Sequence, residues 1–221
     1  STDLVHEISN PLTSLKSASE ILNETADSTQ RKELIDILNH DVQRIERLIT
    51  DYSQMLKDEV ALSKEKMKKI NLKLITKSVV DDFNNIYETK RGIEIKLIDD
   101  NNLDEYLING IENRIEQIIA NLLDNSISFS EDNKKILVKI SKDIEDKIIL
   151  KVIDQGKGFK EKDTNKIFNR FYSNRPDKFG EHSGLGLNIV KNLVELHEGS
   201  INAFNRENNL GAIIEINFPK A

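Results

Sequence analysis

Cysteine is missing from all 221 residues, which excludes disulfides, zinc–thiolate sites and thiol nucleophiles and leaves a reducing compartment permitted. No apolar run approaches the roughly 20 residues that cross a bilayer, and no signal-peptide pattern opens the chain. Direct membrane contact by this segment is therefore not expected. Long basic runs are also lacking. The 32 Lys+Arg stand against 38 Asp+Glu, a net charge of −6, so nucleic acid is not an expected partner. The usual phosphate cradles, G-x-x-x-x-G-K-[ST] and the protein-kinase glycine loop, do not occur, nor do internal repeats or low-complexity tracts.

What remains is 38% hydrophobic and 32% charged, enough to bury a core beneath a heavily solvated surface. The length suits two units. The chain begins at Ser1, without methionine and already inside a helical pattern, which predicts a fragment of a longer protein.

Periodicity divides the chain. Val5, Ile8, Leu12, Leu15 and Leu22 fall at steps of three and four with Ser19 the one polar interruption, and Ile35, Leu38, Val42, Ile45, Ile49, Tyr52 and Leu56 keep the alternation unbroken, predicting two amphipathic helices. Between them Asp27 and Ser28 offer turn and N-cap chemistry. An antiparallel hairpin would leave part of these stripes wet, so two copies forming a four-helix bundle, a homodimer, are expected. A charged linker is predicted over Asp58–Lys69. Strand-like alternation follows at Ile70/Leu72, Ile93–Leu97, Ile136–Ile140, Ile148–Val152 and Ile214–Phe218, with helical stretches at Leu74–Tyr87, Ile111–Phe129 and Leu187–His197. This order predicts an α+β chain: residues 1–60 as the hairpin, residues 61–221 as an α/β sandwich with a mixed sheet covered by helices on one face. Tyr172–Ser183 lacks periodicity and reads as a mobile loop.

With Val5 and Ile8 facing the bundle, His6, Asn10 and Thr13 share the outer face at i, i+4 and i+7. Pro11 removes the N–H that would bond to the Glu7 carbonyl, predicting a loosened turn beyond His6. An imidazole attacks phosphorus only with a free lone pair, so an adjacent base is useful, and Glu7 is the candidate. Asn10 is placed to orient a water. A lone exposed histidine is usually inert; His6–Glu7–Ile8–Ser9–Asn10–Pro11 on a heptad helix is a stronger signal.

Three further segments can build a nucleotide site. Asn121 and Asn125 lie one turn apart on a helix where Ile118, Leu122 and Phe129 would face the sheet, and the Asn125 carboxamide oxygen is a hard ligand suited to Mg²⁺. Alone, such a pair is ordinarily just solvated. Asp154–Gln155–Gly156–Lys157–Gly158 follows a strand, where a carboxylate can accept from an adenine amino group and glycines permit close backbone approach; ordinary turns share this pattern. Gly184–Leu185–Gly186–Leu187 opens a helix whose first N–H groups can bind phosphate, although ligand-free glycine-rich helix starts are common.

Together these residues resemble the catalytic core of two-component sensor histidine kinases, a phosphoacceptor hairpin followed by a Bergerat-type ATP-binding domain, along nearly the whole chain. His6–Glu7–x–x–Asn10–Pro11 looks like the family's H-box, Arg114 to Ser130 its N-box, and Asp154–x–Gly156–x–Gly158 its G1 box. Phe168–x–Arg170–Phe171–Tyr172 resembles the F-box and Gly184–x–Gly186–Leu187 the G2 box. Ser128–Phe129–Ser130 with Asn174–Arg175–Pro176 resembles alphaproteobacterial envelope-stress sensor kinases.

The resemblance implies His6 as phosphoacceptor, Glu7 as base and Asn10 as a determinant of phosphatase activity. It implies Asn125 as Mg²⁺ ligand, Asp154 as the adenine reader, and Gly156, Gly158, Gly184 and Gly186 as shapers of pocket and lid. Arg170 and Arg175 could neutralise phosphate charge, or equally be solvated surface arginines. ATP is the implied phosphoryl donor and a response-regulator receiver domain the partner; the location is the cytoplasmic part of an inner-membrane sensor. Many relatives carry Lys-Tyr where this chain has Ser128 and Phe129, which moves one phosphate contact to a lid residue.

Two rivals keep the nucleotide pocket: an ATP-driven clamp of the chaperone and topoisomerase kind, disfavoured by the hairpin, and an anti-sigma-type scaffold without catalysis.

Overall fold

In the computed structural model the described residues are 2–62, 65–160, 163–172, 184–207 and 210–221. They fall into two units, Ser1–Lys64 with Asn169–Leu185, and Glu65–Phe168 with Gly186–Ala221.

The first unit is the expected antiparallel hairpin, α1 (Thr2–Glu24) and α2 (Ser28–Leu62). Asp27 starts α2: its Oδ1 accepts from the backbone N–H groups of Thr29 at 2.9 Å and Gln30 at 2.8 Å, satisfying two donors that have no partner inside the helix. Arg31 closes the connection by donating to the carbonyls of Leu22 and Thr25. α1 is helical through Pro11. α2 extends further than the sequence suggests, through Asp58 to Leu62. Charge alone does not end a helix, and Asp-Glu-Val-Ala-Leu contains neither glycine nor proline to do so. The predicted linker over 58–69 is thus helical as far as Leu62 and enters a strand at Lys68, with residues 63 and 64 outside the described residues.

The second unit contains two sheets. A small antiparallel pair joins β1 (Lys68–Asn71) to β3 (Leu107–Gly110). The main sheet has the order β2-β4-β5-β7-β6, comprising β2 (Glu94–Asp99), β4 (Lys135–Lys142), β5 (Ile148–Ile153), β6 (Ser200–Asn205) and β7 (Ala212–Phe218). β2 and β4 are parallel and the other pairs antiparallel, so the sheet is mixed, as expected. Three helices accompany it: α3 (Leu72–Arg91), α4 (Glu112–Phe129) and α5 (Gly186–Leu196).

One sheet face is apolar and closed: Ile136, Val138 and Ile140 of β4, Ile148, Leu150 and Val152 of β5, and Ile214, Ile216 and Phe218 of β7 are all buried. The period-2 alternation puts them on a common side, opposite half-exposed Leu137, Lys139, Lys151 and Glu215. Ile115, Ile118, Ile119, Leu122 and Leu123 of α4 complete the core. Each such side chain contributes about 1.5–3 kcal/mol on burial.

Within the second unit, sequence and structure differ at four further places. Leu72 opens α3 rather than continuing a strand, because the Asn71 side chain accepts from Lys73 N–H and caps the helix. Phe129 does not face the sheet. It is the last residue of α4 and 40% exposed, while the core stripe ends at Ser126 and Ile127. β3 and β6 were not foreseen: β3 is only four residues long, and Ser-Ile-Asn-Ala-Phe-Asn in β6 alternates too weakly to signal a strand.

Candidate functional site

On α1, His6, Asn10 and Thr13 are all exposed, the common outer face expected from their spacing. Glu7 is half-buried, and its Oε2 accepts from Arg44 Nη2 on α2 at 3.0 Å. A charge-assisted bond of this kind fixes the position of a carboxylate otherwise carried on a flexible side chain. Arg44 had no signal in the sequence, since it sits within an ordinary charged helix face.

The side of α1 that meets α2 runs through Ile8, Pro11, Leu15, Ala18 and Leu22, of which Pro11 and Ala18 are the buried members. On α2 the corresponding stripe is Leu34, Leu38, Asp41, Ile45 and Leu48. Within one chain, Val5 and Leu12 are exposed rather than interior. So are Ile35, Val42, Ile49 and Leu56, spaced at seven-residue intervals along α2. A heptad row on a helix forms a single continuous stripe.

In the second unit, α4 carries Asn121 and Asn125, both half-buried and one turn apart. Ser128 Oγ donates to the Asn125 carbonyl. The helix is anchored at its start. Ile111 N–H donates to His197 Nε2 at 3.1 Å, and the other ring nitrogen lies 2.7 Å from the Leu193 carbonyl; accepting at Nε2 requires the neutral tautomer protonated at Nδ1. Burial pushes the His197 pKa down, partly opposed by the Leu193 carbonyl. Arg114, at the head of the predicted N-box, is buried and pairs with Glu65 at 3.2 Å.

Asp154 lies just past β5 and is buried. Its N–H donates to the Ala212 carbonyl, and its Oδ1 accepts from the N–H groups of Ala212 at 3.0 Å and Gly156 at 2.8 Å. Burial raises its pKa against the opposing pull of those two amides and of the Arg206 guanidinium. The carboxylate is thereby held in one orientation, with Oδ1 committed to the backbone.

The glycines fit a ligand cradle. A Cβ on Gly156 would lie 2.7 Å from the Phe129 carbonyl, and one on Gly158, where φ is +71°, would lie 2.7 Å from Asn205 Oδ1. Gly186 is different: nothing lies within 4 Å of where its Cβ would be. Its lack of a side chain leaves open space at the first residue of α5, next to half-buried Leu187. Asn188 Nδ2 donates to the Phe168 carbonyl at 2.9 Å and ties the helix to the start of the predicted F-box. An acidic acceptor, close backbone and open helix-start donors together suit a purine nucleotide.

Gly184, Leu185 and Arg170 belong to the first unit. Gly184 has φ +73°, and its Cβ would lie within 2.9 Å of Phe171 and Tyr172 backbone atoms; Leu185 is fully buried and Arg170 exposed. Arg175 and all of the predicted Tyr172–Ser183 loop beyond Tyr172 lie outside the described residues. Among the described residues, no group of three or more His, Asp or Glu side chains could hold a metal ion, and no helix is long and apolar enough to cross a membrane.

Comparison with known proteins gives concordant matches. Residues 110–221 match the family described as histidine kinase-, DNA gyrase B- and HSP90-like ATPase, and residues 1–59 match the His Kinase A (phospho-acceptor) domain. The sensor protein ChvG of Agrobacterium fabrum is 36% identical over 217 residues, covering 96% of this chain and 36% of that protein. The sensor protein KdpD of Clostridium acetobutylicum is 32% identical over 221 residues, 97% of this chain and 24% of that protein. The chain thus spans about a third or less of the length of these relatives. Among solved structures, the catalytic domain of histidine kinase ThkA is 25% identical with a TM-score of 0.61, covering 71% of this chain and 97% of that one. ThkA in complex with the response regulator protein TrrA has a TM-score of 0.68 at 24% identity, covering 100% of this chain and 60% of that one.

Proposed function

The chain belongs to the histidine kinase-, DNA gyrase B- and HSP90-like ATPase family and joins it to a His Kinase A phospho-acceptor domain; from that premise we propose that it phosphorylates its own His6 from ATP and passes the phosphoryl group to an aspartate of a response-regulator receiver domain. The observation that carries this reading is a solvent-facing His6 on the same chain as the buried Asp154 cradle. Residues 1–60 act as the dimerisation and phosphotransfer domain and residues 61–221 as the ATP-binding domain.

One ring nitrogen of His6 attacks the γ-phosphorus, the bond from phosphorus to the bridging oxygen of ADP breaks, and Glu7 accepts the proton released by the ring. Glu7 is a base on a short tether: the Arg44 guanidinium holds its Oε2, so the carboxylate needs no search to reach its place. In the nucleotide site Asp154 accepts from the adenine amino group, and Gly156 and Gly158 let the loop backbone lie against the ring. N–H groups at Gly186 and Leu187, with Gly184 and Leu185 in the lid, face the phosphates; Arg170 and Arg175 add positive charge. Asn125, supported by Asn121, would hold Mg²⁺, which neutralises phosphate charge when bound. Asn10 orients the water that hydrolyses the phosphorylated regulator.

The unpartnered row Ile35, Val42, Ile49 and Leu56 supports a homodimer built as a four-helix bundle. The ThkA complex with TrrA supports a receiver domain as the partner. Resemblance to ChvG sensor proteins supports a cytoplasmic position within a membrane-anchored sensor.

Incubation with Mg²⁺ and γ-³²P-ATP tests the proposal. Label that is acid-labile, alkali-stable and absent from His6→Gln is expected; nucleotide binding without label would leave the clamp or scaffold reading instead.

A further inference from the structure

The segment leaving Asp154 runs to Thr164 without regular secondary structure among its described residues, yet a loop that lies against a ligand must hold one shape. Its first half is fixed by Asp154, as described, and by Gln155 Oε1, which accepts from Lys135 N–H. Its far end is fixed by something the reading of the site does not include. Asn205 Oδ1 accepts from Phe159 N–H at 2.6 Å, and Asn205 Nδ2 donates to the Phe159 carbonyl at 2.9 Å. Both backbone groups of one loop residue are therefore paired with one carboxamide, as a neighbouring strand would pair them.

The setting explains why a side chain does this. Asn205 is the last residue of β6, and β6 is an edge strand of the main sheet. The loop passes along that edge: Thr164 Oγ1 donates to the Ala203 carbonyl at 2.8 Å, two residues before Asn205 on the same strand. A second observation links the contact to the glycine motif. Gly158 has φ +71°, and a Cβ there would meet Asn205 Oδ1 at 2.7 Å and the Gly211 carbonyl at 3.2 Å. The second glycine of Asp-x-Gly-x-Gly is therefore the position at which the loop must pass under the Asn205 side chain.

We propose that Asn205 is a positioning residue of the nucleotide site, clamping the exit of the glycine loop at Phe159 so that the backbone from Gly156 to Gly158 is already shaped when the nucleotide arrives. This rests on the reading of Asp154–Gly158 as the adenine-binding loop. Preorganisation of this sort acts on affinity: an unclamped loop is ordered at the expense of binding. Asn205 is exposed, so its removal takes little from the core.

The test uses the chain as it stands. The equilibrium affinity for a fluorescent ATP analogue and the KM and saturating rate of His6 phosphorylation are compared for the parent, Asn205→Ala, Asn205→Asp and Asn205→Gln. Asn205→Ala removes both bonds, so its affinity should fall about tenfold, KM rising in step while the saturating rate holds. Asn205→Asp keeps the acceptor for Phe159 N–H but sets a carboxylate oxygen against the Phe159 carbonyl, and should bind no better than the alanine variant. Asn205→Gln retains both groups and should recover part of the affinity. Thermal unfolding is followed in parallel. A parent that binds no nucleotide overturns the reading of the site. A parent that binds, with Asn205→Ala matching it in affinity or changing only in unfolding temperature, overturns the clamp.

Discussion

The two units are built to different degrees of completion. In the sheet unit the apolar alternation of β4, β5 and β7 is matched by buried residues of α4, and the faces that the sequence makes hydrophobic are closed. In the hairpin, Val42 and Ile49 are 45% and 50% exposed on a helix whose neighbouring stripe already packs on α1. A mixed sheet with helices on one face can close its core within one chain, whereas a two-helix hairpin has two apolar stripes and only one partner helix. The proposed chemistry follows the same division. The nucleotide unit holds its groups by backbone bonds to Asp154, while the hairpin presents His6 to solvent on a surface that another molecule must reach.

The sharpest way to break the comparison is to separate the two activities. His6→Gln should abolish acid-labile phosphorylation completely while leaving affinity for the ATP analogue within twofold of the parent, because a preformed site on the other unit does not need the histidine. Gly156→Ala should do the reverse. Its Cβ would press on the Phe129 carbonyl, a backbone atom that cannot rotate away, so nucleotide affinity should drop by about tenfold or more by analogy with overpacking costs of about 1–3 kcal/mol. The hairpin's capacity to receive phosphate from a competent partner kinase should persist. Equal loss of both properties in either variant would show that the units do not divide the work in this way.

Core substitutions extend the contrast to stability. Leu122 is fully buried in α4, and Leu122→Ala should cost about 2–5 kcal/mol, independent of protein concentration. Ile49→Asp places a charge on the exposed row of α2. Were that row wet in solution, the change would be nearly neutral; in a dimer it should lower thermal stability and produce monomers in sedimentation at micromolar protein.

Different kinds of signal made different parts of the molecule legible. The hairpin was readable because three-four spacing persists over both helices and Asp27 supplies a helix start. The Asp154 loop was legible only as a candidate, since Asp-x-Gly-x-Gly also occurs in ordinary turns and gains its weight from standing in order with the other motifs. β6 was not, since an edge strand needs only one paired neighbour and tolerates polar residues, here Ser200, Asn202 and Asn205, at half its positions. The side chains that hold the sites were hidden for a related reason. Arg44, Asn205 and His197 act by geometry across long stretches of chain, and each looks in sequence like an ordinary polar residue. Helical spacing places the Phe129 side chain in the core on paper, but Phe129 is the last residue of α4 and the buried stripe already ends at Ile127.

His197 offers the finest test of how the nucleotide unit is held together, and the sign of its effect is fixed by its burial, which outweighs the opposing pull of the Leu193 carbonyl. Protonation at Nε2 would destroy the acceptor for Ile111 N–H and place a charge beside the Phe218 ring, whose centroid is 6.3 Å away. The folded state therefore binds this proton less readily than the unfolded chain, and the histidine's pKa lies below its ordinary 6.5. Its contribution to stability should be fully present above pH 6.5, decline as the pH falls towards the folded-state value, and change no further below it. His197→Gln can still offer an acceptor to Ile111 but cannot titrate. Denaturant titrations of the two proteins at a series of pH values should show a parent curve that bends downward in acid and a flatter variant curve. Because the bond joins the start of α4 to the end of α5, nucleotide affinity should decline over the same acid range. Asp154, whose pKa burial raises above that of an ordinary aspartate, should add a second loss of affinity in acid that His197→Gln leaves in place. Parallel stability curves for parent and variant would remove His197 from this account and leave the acid sensitivity of binding to Asp154 alone.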